Sequence, residues 1–283
     1  MPERDGYIPG VPCWADASYQ DPESVLPFYR GLFGWEFIPA IEAPGERFFI
    51  ATIRGGSTAG IGELPADHPP VAAWNTYVAV TSADEAVAKV QAAGGEVLAA
   101  AFDVVDAGRM AILKDPQGAV FCVWQAGQTK GAKVVNEHGA VNFNTLHTPD
   151  PEAAKKFYGE VFGWTTLSLA GAEFWTLPGY GDYLETLTPG LRQGAAEMGA
   201  AGFEDVVAVL EPLKGDDQPH WHVTFAVNDA DAAAAETPKL GGTVPRHELS
   251  AWRSAVERPA RSNSVSSSRD ESALRNAPSV VVP

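Results

Sequence analysis

Several short stretches carry side chains whose type and spacing could do chemistry. Trp14 and Asp16 alternate along an extended segment and share one face. An aromatic ring beside a carboxylate suits a flat or cationic ligand. The competing reading fills that face with Trp14 and pairs Asp16 with Arg109. Asn75 and Tyr77 also share a face, and an amide with a phenol can orient a ligand; the alternative is plain cross-strand packing. His220-Trp221-His222 puts two histidines on one face, as metal-binding pairs on strands require. No third ligand is identifiable in the sequence, so the alternative is a hydrogen-bonded His222. Cys122 lies among Val120, Phe121, Val123 and Trp124 without a local cation to lower its pKa, and reads as a buried structural thiol. His147 directly precedes a capped helix and reads as a loop residue. No Gly-x-Gly-x-x-Gly fingerprint, phosphate-binding loop or Gly-x-Ser-x-Gly elbow occurs.

The elements that must position these residues come from an internal repeat. Asp21-Pro22-Glu23, Phe28-Tyr29 and Phe33-Gly34-Trp35 recur as Asp150-Pro151-Glu152, Phe157-Tyr158 and Phe162-Gly163-Trp164, offset by 129. Trp74 to Val80 with Gly94-Gly95 recurs as Trp221 to Val227 with Gly241-Gly242, offset by 147. The difference of 18 residues falls within 165–215. Each unit reads as a strand, a helix, then strands. Asp21 suits an N-cap, Pro22 the first helical position, and Gly34 the C-terminal cap. Val25, Phe28, Tyr29, Leu32 and Phe33 keep the spacing of one buried helix face. Asp115-Pro116-Gln117-Gly118 is a hairpin turn. The spacing predicts modules at about 8–66 and 72–126, a linker at 127–138, and further modules from near 140 and near 219.

The fourth module loses register. Adding 147 to Asp115 and Gly118 gives Ser262 and Val265, which do not match. From about Ser250 the chain is rich in serine and arginine, and predicts either a disordered tail or a frame shift near 245–253. Length, 283 residues, and a 45% hydrophobic content predict two folded domains. A net charge of −16 repels phosphate backbones, so nucleic acid is excluded as a partner. No apolar run approaches the roughly 20 residues that span a bilayer, and the polar N-terminus does not read as a signal peptide. Two cysteines, Cys13 and Cys122, build no disulfide scaffold, which predicts a cytoplasmic protein.

Paired βαβββ modules with an acidic N-cap, Phe-Tyr and a Phe-Gly-Trp exit resemble the vicinal oxygen chelate superfamily, which includes glyoxalase I, extradiol dioxygenases and bleomycin-resistance proteins. The resemblance covers about 8–248 and is most similar to an actinobacterial two-domain branch labelled glyoxalase-like protein, hydroxylase or antigen. It implies an α+β fold of tandem βαβββ modules paired into two domains, 1–126 and 139–249, the last module truncated, with a tail at 250–283. It also implies one cleft per pair of modules, with metal ligands on first and last strands. Those positions carry Trp14, Phe143, Asn75 and Cys122, with His222 in the fourth module and Glu63 by a looser alignment. The first cleft is therefore expected to lack a metal. No cofactor is favoured; a divalent metal, if present, would use His222 or Glu63.

The expected activity is a glyoxalase-like lyase or a hydroxylase acting on a small oxygenated or aromatic metabolite. Asp16 is the candidate base, and Arg109, Asn75 or Tyr77 would polarise the substrate. Trp14, Asn75, Tyr77, Cys122, Trp124, Asn144 and His222 form the candidate ligand-binding set. The alternative is a bleomycin-resistance-type binder without turnover; a non-functional frame-shifted copy is a third. The expected partner is a small molecule, and the protein is expected to be a monomer or homodimer.

Overall fold

A computed structural model of the chain describes residues 3–43, 45–65, 73–215 and 217–244. The region of the expected frame shift and the tail lie outside these residues. The first module runs β1 (Pro12–Tyr19), α1 (Pro22–Phe33), β2 (Glu36–Ile41), β3 (Phe48–Ile53) and β4 (Gly56–Glu63). The second runs β5 (Trp74–Val80), α2 (Ala83–Ala92), β6 (Glu96–Val104), β7 (Gly108–Lys114) and β8 (Val120–Ala126). The third has β9 (Val141–Thr148), α3 (Pro151–Phe162), β10 (Thr165–Leu169) and β11 (Ala172–Thr176). It continues through α4 (Tyr180–Leu187) and α5 (Leu191–Glu197) into β12 (Val206–Pro212). The two extra helices occupy the segment that lengthens the second half. The fourth module is described through β13 (His220–Phe225) and α6 (Ala230–Glu236).

Local chemistry explains the helix ends. Pro22 and Pro151 open α1 and α3, where a missing N–H costs nothing. Gly34 and Gly163 close them at φ 70° and 75°, a left-handed conformation that a Cβ disfavours. Asp150 caps α3 by accepting from Ala153 N at 3.0 Å. Asp21 makes no such side-chain bond to α1.

An eight-stranded sheet has the order β2-β3-β4-β1-β5-β8-β7-β6, and a five-stranded sheet the order β10-β11-β12-β9-β13. First and last strands of a module pair in parallel, as β1 with β4, β5 with β8 and β9 with β12. Modules join through antiparallel first strands, β1 with β5 and β9 with β13. The architecture is α+β with one sheet in each half, the second sheet the smaller among the described residues.

The cores cross between halves. Ala86 and Val90 of α2, with Leu113 and Phe121, share one cluster with Phe157, Tyr158 and Val161 of α3. Phe28, Tyr29 and Phe33 of α1 share another with Val223 and Phe225 of β13 and Ala233 of α6. Burying these faces supplies the main driving force for joining the halves. Trp35 Nε1 donates to the Gly139 carbonyl and Trp164 Nε1 to the Gly10 carbonyl, each at 2.7 Å. Both donors and acceptors differ by 129, so the Phe-Gly-Trp repeat ties each half to the start of the other. Residues 127–138 are held closely: Ala132 N donates to Cys13 O at 2.8 Å and Lys133 N to Ser57 O at 2.8 Å. No helix among the described residues is long and apolar enough to cross a membrane.

Candidate functional site

Strand alternation divides β1 between two faces. Ala15 and Ala17 are fully buried against the helices. Trp14, Asp16 and Ser18 point the other way, onto the face of the eight-stranded sheet turned from the helices. Antiparallel pairing sets Trp14 opposite Tyr77 and Asp16 opposite Asn75. Parallel pairing sets Tyr77 beside Cys122, whose neighbours across β7 and β8 are Ile112 and the pair Met110–Trp124. On the other flank Asp16 faces Gly60 and Ser18 faces Gly62. A Cβ at Gly60 would run into the Phe48 ring and stand 3.1 Å from Asp16 Cβ. The glycine thus lets Phe48 lie across the strand next to Asp16.

Asp16 is the chemical centre of this face, at 7% exposure. Tyr77 donates its hydroxyl to Asp16 Oδ2 at 2.7 Å, and Asn75 Nδ2 donates to Oδ1 at 2.9 Å. Burial raises the carboxyl from 3.8 to about 6, against the opposing pull of the bonds from Asn75 and Tyr77. Among the described residues no ion pair involves Asp16. Burial also pushes up the Tyr77 phenol and the Cys122 thiol, which adjoin one another, so both are protonated at neutral pH. A carboxyl raised to about 6 beside a phenol that stays a donor can in principle accept and donate protons at neighbouring atoms. Aromatic walls surround it. Trp124 meets Tyr77 edge-on at 6.5 Å and is anchored by Nε1 donating to Thr129 O at 2.9 Å.

Three sequence candidates sit elsewhere. Arg109 has the strand parity of Ala111 and Leu113 and lies on the helix side, bonded to Asp84 at 3.0 Å and Asp103 at 3.0 Å. The Asp16–Arg109 pair of the competing reading does not form. Asn144 lies between the sheets, 5% exposed, where its Oδ1 accepts from Thr76 Oγ1 at 2.8 Å. Glu63 is gripped by Arg47, accepting from its Nε and Nη2 at 3.0 Å each and from its backbone N at 3.1 Å.

The corresponding face of the five-stranded sheet gathers histidines. His220 is directly opposite His147, and His222 opposite Thr145. The rings of His147 and His220 stack at 4.7 Å, and His222 stands 6.0 Å from His147. Glu211 Oε2 is 3.9 Å from His147 Nδ1. Burial, then the neighbouring histidines, holds His147 down to about 4. Burial also lowers His222, so both rings are neutral at pH 7. His147 belongs to β9, which corrects its reading as a loop residue. The repeat held the signal: Ser18, on the same face as Asp16, lies 129 residues before His147.

Residues 14–123 match the Glyoxalase/Bleomycin resistance protein/Dioxygenase superfamily, and residues 141–264 match a glyoxalase-like domain. The second match runs past the point where repeat register is lost. The chain belongs to the glyoxalase/bleomycin resistance/dioxygenase superfamily. It is 37% identical over 251 residues to "Putative glyoxylase CFP32" of Mycobacterium tuberculosis (strain CDC 1551 / Oshkosh), covering 86% of this chain and 87% of that protein. It is 33% identical over 251 residues to "Anthracycline biosynthesis protein DnrV" of Streptomyces peucetius, covering 84% of each. Among solved structures it is similar to the Mn(II)-bound glyoxalase from Novosphingobium aromaticivorans, with a TM-score of 0.51, 17% identity, and coverage of 83% of this chain and 72% of that one. The 2,3-dioxygenase LapB from Pseudomonas sp. KL28 gives 0.51, 18% identity and 84% of each chain. At these identities the likeness is one of fold.

The resemblance implies metal ligands at the strand positions named above, and the residues of the first half do not fit a metal there. Trp14 offers no ligand atom, and the Asn75 amide is turned to Asp16. Cys122 is a buried, protonated thiol, and Glu63 is committed to Arg47. In the second half Phe143 occupies the expected position on β9, leaving His222 alone of that set.

Proposed function

We propose that this glyoxalase-family protein takes a small, ketone- or quinone-bearing aromatic metabolite onto the face around Asp16 and acts on it there without a metal in that cleft. The observation that carries the reading is the buried Asp16 carboxylate, held between Tyr77 and Asn75 within aromatic walls. Asp16 would remove a proton from a carbon next to the substrate carbonyl. The C–H bond breaks, its electron pair moves onto the carbonyl oxygen, and the proton passes to Asp16. Tyr77 would turn its hydroxyl to that oxygen and stabilise the developing charge, while Asn75 keeps the carboxylate in place. The anthracycline-biosynthesis relative supports a polycyclic substrate, and Trp14, Phe48 and Trp124 supply flat apolar contacts for one.

A second reading is a binder without turnover. Both oxygens of Asp16 already accept hydrogen bonds, which favours it. One experiment separates the two. The full chain is titrated with a commercial anthracycline while tryptophan fluorescence is followed, and the mixture is then analysed by mass spectrometry and by solvent-deuterium uptake into the ligand. Quenching with deuterium uptake or product formation that is lost in Asp16→Asn supports the enzyme. Quenching without either supports the binder, and absence of quenching removes this substrate class.

A further inference from the structure

We propose that His147, His220 and His222 form a divalent transition-metal site on the five-stranded sheet, displaced along β9 from the position that Phe143 occupies. One ligand atom from each ring lies within 4.8 Å of the others. A tetrahedral ion with metal–nitrogen bonds of about 2.0–2.1 Å holds its nitrogens roughly 3.3 Å apart. The rings therefore have to close by one to two ångströms, about what χ1 and χ2 rotations of half-buried side chains provide.

Two features beyond proximity point to a ligand set. The first is the backbone. His147 and His220 are directly paired residues of adjacent antiparallel strands, and His222 follows at the next position on the same face. All three ligands therefore rest on hydrogen-bonded strands and not on loops, which gives a pre-organised site. The second is the tautomer of His220. Its Nδ1 lies 2.8 Å from the Gln218 carbonyl oxygen. A carbonyl only accepts, so Nδ1 carries the hydrogen and Nε2 carries the lone pair. A ring nitrogen bonded to a backbone carbonyl is the usual outer support of a metal-binding histidine.

The donor chemistry narrows the ion. Three imidazoles suit zinc, cobalt, nickel or copper and do not suit magnesium or calcium, which prefer oxygen. Three protein ligands leave a fourth position open, the composition of a catalytic and not a structural site. Glu211, paired with His147 across β12 and 43% exposed, stands at the rim of that position. An oxygen ligand from solvent or from a small molecule would complete the site. This site is separate from the Asp16 face and independent of the function proposed for it.

The test uses the full chain without an affinity tag of histidines. Cobalt(II) is added to the metal-free protein and its visible spectrum recorded; zinc is then titrated in competition with a chromophoric chelator. The expected result is one ion per chain, a four- or five-coordinate cobalt spectrum, and a loss of affinity of about tenfold or more in each of His147→Gln, His220→Gln and His222→Gln. His138→Gln, a histidine outside the cluster, should leave binding unchanged. Circular dichroism establishes that each variant is folded, and a variant that is not folded is replaced by the corresponding alanine. Failure of the wild-type chain to bind cobalt or zinc overturns the proposal. So does undiminished binding by the folded variants.

Discussion

Replacing Asp16 by Asn should stabilise the protein, and by an amount that depends on pH. The folded carboxyl is raised from 3.8 to about 6. Its charged form is therefore disfavoured in the folded state relative to the unfolded one. The sign follows from proton uptake. Between pH 3.8 and about 6 the folded chain holds a proton that the unfolded chain releases. Stability from this group is fully present below 3.8, falls as pH rises, and is lost above about 6. At about 1.4 kcal/mol per tenfold in proton affinity, the loss is roughly 3 kcal/mol.

Asparagine at the position escapes that loss. Its amide oxygen can accept from Tyr77, and its amide nitrogen can donate to Asn75 once that amide is reversed. The variant should match the wild type near pH 4, apart from a constant offset. Relative to that offset it should gain progressively up to pH 6, and the gain should hold at roughly 3 kcal/mol at pH 7 and above. In a chain of this size that corresponds to roughly 6–12 °C in melting temperature. Thermal unfolding of both proteins from pH 4 to 8 reads the difference directly. A stability difference that is flat across this range would refute the claim that the Asp16 carboxyl is desolvated. A site that gives up stability to keep a charged group in an apolar setting is the expected signature of function.

Two further outcomes follow from the same geometry. Tyr77→Phe removes a bond that favours the charged carboxylate, so Asp16 should titrate above its present value of about 6, and the stability lost with rising pH should extend correspondingly higher; a midpoint that stays put or falls would contradict the Tyr77–Asp16 bond. Trp35→Phe and Trp164→Phe each leave a carbonyl of the opposite half without its indole donor and shrink a packed core, so each should cost about 2–4 kcal/mol by urea unfolding. Either variant remaining within about 0.5 kcal/mol of wild type would remove the tryptophan from the link between halves.

The fold was largely legible because its determinants are local and repeated. Asp-Pro-Glu starts a helix and Gly-Trp ends it in both halves, so one unit read correctly describes the other. Alternation alone sorts Trp14 with Asp16, Asn75 with Tyr77, and His220 with His222. The crossing of the cores was not legible, since the apolar faces of α1 and α2 do not say which partner covers them.

The sequence by itself determined the modules, their caps and which neighbours share a strand face, because period and backbone sterics act within a few residues. Tertiary structure decided what those faces meet. It gave Asp16 to Tyr77 and Asn75, since the register of β1 on β5 brings them opposite, and left Arg109 with Asp84 on the helix side. It placed Asn144 between the sheets and brought His147 to His220. Alternation fixes only relative orientation within one strand; register between strands, and the face that turns to the core, are set by burial over distances no local pattern reports.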